Sequence, residues 1–269
     1  MLKPDISIVM GIYNCADTLD EAIKSILDQT YTDWKMIMCD DASSDNTYQV
    51  AKKYVEKYPD KFILIKNEKN MGLNYTLNHC LQYADTKYVA RMDGDDISLP
   101  ERFEKEINFL KKNPEYAIVS AQMEYFDQAG IFGKSSGLGE AHKENIPKGT
   151  PFCHAPCMVL KEAFDAVGGY SVSKRLLRME DYELWIKMYA QGYKGYNLPE
   201  VLYRMRDDRN ATKRRKFRYR INEAYVRYLA VKRLGLSKKY LIYMARPILV
   251  GLLPAGIYTI LHKKRLKGD

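Results

Sequence analysis

The densest chemistry in the chain is VARMDGDD, residues 89–96, where an apolar approach ends in three carboxylates, Asp93, Asp95 and Asp96. Like charges at this density repel one another unless something cationic sits among them. Two more polar clusters stand out, Tyr13-Asn14 and Asp40-Asp41. A further set, Glu180, Asp181 and Glu183, opens the stretch EDYELWIKMYAQG. Acids in a first helical turn also complement the helix dipole, so capping alone would account for them. Cys153-His154 with Cys157 has the residue types of a zinc site, but no second ligand pair follows at a suitable spacing, and buried thiols are the simpler reading.

The elements that must position these groups are legible as runs. ISIVMGIYN (6–14), KMIMCD (35–40), KFILIKN (61–67) and KYVARMD (87–93) are short apolar segments with the character of buried strands. Between them lie helical patterns. Thr18 and Glu21 have capping-box spacing ahead of Leu19, Ala22, Ile23, Ile26 and Leu27. Ser44 can cap a helix reaching Tyr58, Gly72 opens one ending near Ala84, and Pro100 stands at the start of PERFEKEINFLKKN. Strand–helix alternation repeated four times predicts a doubly wound, mostly parallel α/β sheet with helices on both faces. Ligands of such sheets bind beyond the carboxyl ends of the strands, where Tyr13-Asn14, Asp40-Asp41 and Asp93 to Asp96 all fall. Residues 115–160 read as short strands with Gly-rich turns.

Composition bounds the rest. At 269 residues, with 46% hydrophobic and 29% charged residues, the chain is globular and long enough for one α/β domain with an appendage. Five scattered cysteines favour reduced thiols in a cytosolic compartment, and the start of the chain leads straight into a strand without a signal peptide. Charge is divided. Residues 201–269 hold 19 Lys and Arg against 4 Asp and Glu, whereas residues 1–200 hold 24 against 30. A basic tail on an acidic body points to an anionic partner. Residues 213–234 place Phe217, Ile221, Tyr225 and Tyr228 on one stripe amid Lys and Arg, a basic amphipathic helix. Residues 240–261 are apolar but broken by Arg246, Pro247 and Pro254, and the uninterrupted run is shorter than the ~20 residues a span needs. Entry into one leaflet or a re-entrant hairpin is favoured over spanning the bilayer or packing on the protein.

SIVMGIYN, SILDQTYTDWKMIMCDDASSDNT, NMGLNYTLN, YVARMDGDD, VGGY and EDYELW occur in the order and at the distances seen in inverting nucleotide-sugar glycosyltransferases of family 2. Over residues 5–206 the chain resembles that family. The resemblance implies the GT-A fold, a Rossmann-like sheet flanked by helices, and a catalytic domain over 1–206. Its first half, 1–100, would bind the nucleotide-sugar and its second, 101–206, the acceptor, with 207–269 as a helical, membrane-associating extension. It implies a divalent metal, Mn²⁺ or Mg²⁺, held by Asp93 and Asp95 on the donor diphosphate, a role suited to hard cations with oxygen ligands. It places Ile12, Tyr13, Asn14, Asp41, Asp93 and Gly94 at the nucleotide, with Tyr13 on the base, Asp41 accepting from it as in uracil recognition, and Gly94 leaving room for ribose and phosphate. Asp181 is implied as general base, with Glu180 the alternative.

The chain also departs from the family. Leu77 stands where many relatives carry Arg, and YRMR (203–206) replaces a common His with Arg206. Arg204 and Arg206 are candidates for a diphosphate clamp; a basic surface facing lipid is the other reading. His154 falls where relatives line the acceptor pocket, and is either an acceptor or supporting residue or a satisfied structural histidine. Trp185 could stack on a sugar but suits core packing better. The resulting expectation is a hexosyl or N-acetylhexosaminyl transferase that uses a UDP-linked donor and a glycan or lipid-linked acceptor. It would work in cell-surface polysaccharide synthesis, cytoplasmic and attached to the inner face of the membrane. A nucleotidyltransferase would need a Gly-rich basic loop where the sequence has GIYNCADT, and no nucleic-acid-binding module is present.

Overall fold

In the computed structural model, which describes residues 4–207 and 216–253, the first apolar run is strand β1 (Ile6–Ile12), with β2 (Trp34–Asp40) on one side and β4 (Tyr88–Arg91) on the other. β3 (Phe62–Lys66) extends the sheet beyond β2, and all three pairings are parallel. The alternation of β1 explains its uniform apolarity. Ile6, Ile8, Met10 and Ile12 face one core with helices α1 (Ala16–Leu27), α2 (Thr47–Lys57) and α4 (Arg102–Lys112), while Val9 faces a second core with α3 (Leu73–Tyr83), α5 (Lys161–Val167) and α6 (Glu180–Ala190). A strand buried on both faces reads as a continuous hydrophobic run.

The second half is mixed, not mostly parallel. β9 (Met158–Leu160) runs antiparallel to both β4 and β6 (Ile118–Asp127), and β6 then pairs in parallel with β10 (Gly195–Arg206). Short strands β5 (Ile97–Ser98), β7 (Gly130–Lys134) and β8 (Gly139–Glu140) are antiparallel additions. The strand order is β3-β2-β1-β4-β9-β6-β10-β5, and β5, which follows β4 after five residues, pairs with Tyr203 and Arg204 and so brings the end of β10 to the turn after β4, at one rim. β6 to β9 fall within residues 115–160, read from sequence as short strands, but two- and three-residue strands leave no periodic signal that would fix their bounds or direction, and β5 went unread.

Two helix starts also differ from expectation. α1 begins at Ala16 without a side-chain cap; Thr18 instead donates to the Gly94 carbonyl at 2.9 Å and Glu21 pairs with Arg206. Ser44 does not cap α2, and its amide donates to Asn14 Oδ1 at 2.9 Å. Residues expected to serve local helix caps therefore tie loops together across the rim.

Helix α7 (Phe217–Arg233) buries Val226, Leu229 and Ala230 in a third core with Ile146, Leu176, Tyr182 and Ile186. The buried face is not the stripe expected from sequence: Phe217 and Ile221 are 45% and 52% exposed. Arg227 donates to the carbonyls of Pro147 and Lys148, both at 2.8 Å, and Arg233 reaches Glu183 of α6 at 2.5 Å. A 3-10 segment (Lys238–Met244) and α8 (Ala245–Leu252) fold back against α7. Among the described residues no helix is long and apolar enough to cross a membrane; residues 254–261 of the expected apolar segment lie outside them.

The floor of the rim rests on a fully buried ion pair. Arg102 Nε lies 3.1 and 3.2 Å from the two Glu106 oxygens, and its Nη2 donates to the Arg91 carbonyl at 2.9 Å. Burial raises the Glu106 carboxyl to about 7 although Arg102 opposes the shift. Arg102→Met should therefore cost about 3–5 kcal/mol in urea unfolding, because an uncompensated carboxylate is left inside. A carboxyl raised in the folded state loses stability as pH climbs from its ordinary value through the folded one. The variant should consequently lose stability more steeply than the native chain between pH 5 and 8, and parallel pH profiles would contradict that.

Candidate active site

Asp93, Asp95 and Asp96 follow β4, and one oxygen from each lies within 4.8 Å of the others. That is a set of hard oxygen ligands able to take a divalent cation. The turn is held from several directions. Arg91 Nη2 reaches Asp93 Oδ1 at 2.5 Å, the Asp93 amide donates to the Tyr203 hydroxyl at 3.3 Å, and Asp96 Oδ1 accepts the Arg206 amide at 2.8 Å. Arg206 Nε also donates to the Asp95 carbonyl at 2.9 Å. The other oxygen of Asp96, Oδ2, is buried and accepts no well-formed hydrogen bond among the described residues, although the Tyr203 hydroxyl stands close enough to the carboxyl to hold its proton affinity down. Burial, then Asp93 and Asp95, push the Asp96 carboxyl well above its ordinary range; Asp95, which stands at the open side of the turn, is raised by desolvation and by Asp93. A cation would relieve both.

Gly94 serves a different purpose from the one expected. A Cβ there would come within 2.9 Å of Cys15 Sγ and 3.3 Å of Ile12 Cγ2. The glycine lets the acidic turn close onto the end of β1, and the space it leaves faces protein.

The loops after β1 and β2 form the neighbouring wall. Ile12 is buried and its carbonyl accepts the Asp41 amide at 2.9 Å. Tyr13 is 49% exposed, open to a planar ligand. Asn14 adopts φ 47° and its Oδ1 accepts from the Ser44 amide, so it fastens one loop to the other. Asp41 accepts from Asn67 Nδ2 and from the amides of Met71 and Gly72, each at 2.8 Å. Of roughly four lone-pair positions on a carboxylate, three are used, which leaves capacity for about one more donor. The non-glycine residues with left-handed backbone among those described are Asn14, Ala42 and Arg178. All lie in loops that carry candidate site residues, and such conformations persist where surrounding structure enforces them.

Asp181 stands in the first turn of α6. Burial raises its carboxyl, while the Tyr182 amide and the charge of Arg91 pull it down. Glu180 is raised by burial and by Asp181, and its Oε2 is a buried atom without a partner. Arg91, which bonds Asp93, also acts on the charge of Asp181, so the acidic turn and the start of α6 lie within reach of one arginine. Tyr170 feels the charges of Arg91, Asp181 and Asp93 together.

Not every expected residue converges. Arg206 sits against the acidic turn and pairs with Glu21, whereas Arg204 Nε is bonded to Glu124 at 3.0 Å. His154 Nε2 is 2.8 Å from the Tyr170 hydroxyl, and burial, then Arg91, lower its basicity well below the usual imidazole value, so it is neutral. Trp185 is fully buried, edge-on to Phe152 with centroids 5.4 Å apart, so it presents no face for a sugar to stack on. Sequence reasoning passed over Arg91, Tyr170 and Tyr203. For Arg91 a signal existed: an arginine inside an otherwise apolar strand demands a buried counter-charge.

Comparison with known proteins identifies the family and the fold. Residues 7–168 match the family described as Glycosyl transferase family 2. The chain is 44% identical over 263 residues to the Putative glycosyltransferase EpsE of Bacillus subtilis, covering 98% of this chain and 95% of that protein. It is 30% identical to the UDP-Gal:alpha-D-GlcNAc-diphosphoundecaprenol beta-1,3-galactosyltransferase of Escherichia coli, covering 98% and 97%. Among solved structures, S. aureus TarS 1-349 in complex with UDP superposes with a TM-score of 0.68 at 16% identity, covering 91% of this chain and 70% of that one. The fold is thus an α/β sheet of the GT-A kind, and the chain belongs to glycosyl transferase family 2.

Proposed function

We propose that this glycosyltransferase is metal-dependent and inverting, and that it moves a hexose or N-acetylhexosamine from a UDP-sugar to a hydroxyl of a lipid-linked or glycan acceptor in cell-surface polysaccharide synthesis. The observation that carries the proposal is that one arginine, Arg91, reaches both the acidic turn and Asp181, two carboxylate groups with separate tasks. Asp181 takes the acceptor proton as that oxygen attacks the anomeric carbon from the face opposite the departing diphosphate. Its raised proton affinity suits a general base, which typically contributes ~10²–10⁴-fold. Mn²⁺ or Mg²⁺ fits the acidic turn, where three carboxylates converge and one buried oxygen accepts no well-formed hydrogen bond among the described residues. When bound, such a cation stabilises negative charge on a leaving diphosphate. Asp95 with Asp93 is the proposed ligand pair, Arg206 flanks the phosphates, and Tyr13, Asn14 and Asp41 receive the nucleoside. The UDP held by the fold relative and the diphosphoundecaprenol-linked substrate named for the Escherichia coli relative support the donor and acceptor classes.

Residues 1–206 form the proposed catalytic domain, donor half first, and 207–269 an extension toward anionic lipid at the cytoplasmic face of the membrane. Phe217, Ile221, Ile242, Leu249 and Leu252 are exposed on that extension among lysines and arginines, a surface chemistry suited to headgroups and acyl chains. α7 also braces α6 through Arg233 and Glu183, so the extension supports the catalytic helix as well.

A panel of UDP-sugars with Mn²⁺ should reveal turnover that chelation abolishes. Asp181→Asn should cut kcat by ~10²–10⁴-fold while leaving UDP affinity near native; full activity in that variant and in Asp95→Ala together would remove the residue assignments. Because Asp181 must be ionised to accept a proton and its affinity for protons is raised, kcat/KM should fall on acidification through a value above the usual ~3.9 of aspartate. A profile flat down to pH 4 would argue against this base. Ile221→Asp with Ile242→Asp should weaken sedimentation with phosphatidylglycerol vesicles by at least about tenfold, since burying one such side chain is worth ~1.5–3 kcal/mol. Unchanged sedimentation would place the lipid contact elsewhere.

A further inference from the structure

Arg91 is the last residue of β4, and its place is unusual for a charge. Val9, Val89, His154, Cys157, Tyr170 and Trp185 pack around this position without room for a water molecule. Its backbone is fixed on both sides, the amide donating to the Cys157 carbonyl at 3.0 Å and the carbonyl accepting from Arg102 at 2.9 Å. The side chain is thereby aimed along the rim, where Nη2 meets Asp93 Oδ1 at 2.5 Å. Among the described residues this is the one ion pair made by any of the three carboxylates of the turn. Arg206 contributes there through its amide and through the Asp95 carbonyl. Burying a guanidinium in an apolar pocket is costly unless it is paired, so Arg91 and Asp93 fix one another.

We propose that Arg91 is the resident counter-ion of the acidic turn, a positioning residue that commits Asp93 to itself and leaves Asp95 and Asp96 as the principal ligands of the divalent cation. This rests on the metal-site reading above and changes one part of it. Asp96 enters as a ligand through its buried Oδ2, which accepts no well-formed hydrogen bond among the described residues, and Asp93 becomes the orienting group. Two of three crowded carboxylates then face the cation, while the third is neutralised from behind whether or not the cation is bound. Lysine cannot reproduce the arrangement fully, because a guanidinium presents a planar fork and an ammonium a point charge.

The test is Mn²⁺ binding to the full chain with UDP present, followed by the electron paramagnetic resonance of free Mn²⁺. Arg91→Met should weaken Mn²⁺ by about 10–100-fold, as is usual when a partner of a metal ligand is lost, and Arg91→Lys should recover part of that. Asp96→Asn should weaken Mn²⁺ more than Asp93→Asn does. The double variant Arg91→Met, Asp93→Asn should bind within about twofold of the weaker single variant, because the two act as one unit. Multiplying losses in the double variant, or native Mn²⁺ affinity in Arg91→Met, would overturn the inference while sparing the metal site. If Arg91→Met does not fold, native Mn²⁺ affinity in Arg91→Lys together with a stronger loss in Asp93→Asn than in Asp96→Asn overturns it equally. A native chain that takes up no Mn²⁺ with UDP present would remove the metal site itself and this inference with it.

Discussion

Everything at the rim answers to the mutual repulsion of three carboxylates in four residues. At 4.8 Å and the dielectric suited to a partly buried pair, two such charges repel by roughly 3–4 kcal/mol. A chain that places three of them at the end of one strand must stabilise the arrangement from outside the turn. Arg91 provides the charge, Arg206 an amide and a guanidinium, Tyr203 a hydroxyl and Thr18 a bond to the Gly94 carbonyl. Those groups come from β4, β10 and α1, and the pairing of β5 with β10 is what brings the end of β10 to the turn. The residual strain shows in the raised proton affinity of Asp95 and Asp96. Both carboxyls are raised relative to an unfolded chain, so their ionisation lowers stability as pH rises. A bound cation would return that stability.

How much of this was legible follows from the range over which each signal acts. Strands β1, β2 and β4 announce themselves because both of their faces are largely buried and most of their residues are apolar, and β3 at the sheet edge keeps the same apolar run. Asp93, Asp95 and Asp181 stand out because their type and neighbours are local facts. The topology of the second half does not, since β9 and β5 are too short to show a period and their antiparallel direction is set by partners far along the chain. Arg102 reads as an ordinary surface residue of a charged helix, yet it lies fully buried beneath the acidic turn. Nothing in PERFEKEINFLKKN indicates which of its charges turns inward.

α7 shows the same limit in another form. Its large apolar side chains suggested an amphipathic stripe for a membrane surface, but Val226, Leu229 and Ala230 pack in a core with Tyr182 and Ile186 of α6. Small residues allow close approach of two helices, and Arg227 Nη1 donates to the Pro147 and Lys148 carbonyls at the end of the 3-10 segment Lys143–Lys148. The large residues are left outside, available to a lipid surface. One helix can therefore brace the element that carries Asp181 and still present an apolar, basic exterior.

Burial also separates roles among residues of one chemical type. Asp41 spends most of its acceptor capacity on Asn67 and on the amides before α3, which shapes the loop beside Tyr13. Asp93 spends its charge on Arg91. Among the described residues Asp181 has no cationic side chain in hydrogen-bonding contact; the Tyr182 amide, the field of Arg91 and its own amide favour its charged form against burial. A carboxylate left in that condition has the greatest gain from taking a proton, which is what a base must do. On the proposed assignment, the acid paired to Arg91 stands beside the cation and an acid without such a pair among the described residues stands on α6, and the charge of the buried Arg91 acts on both.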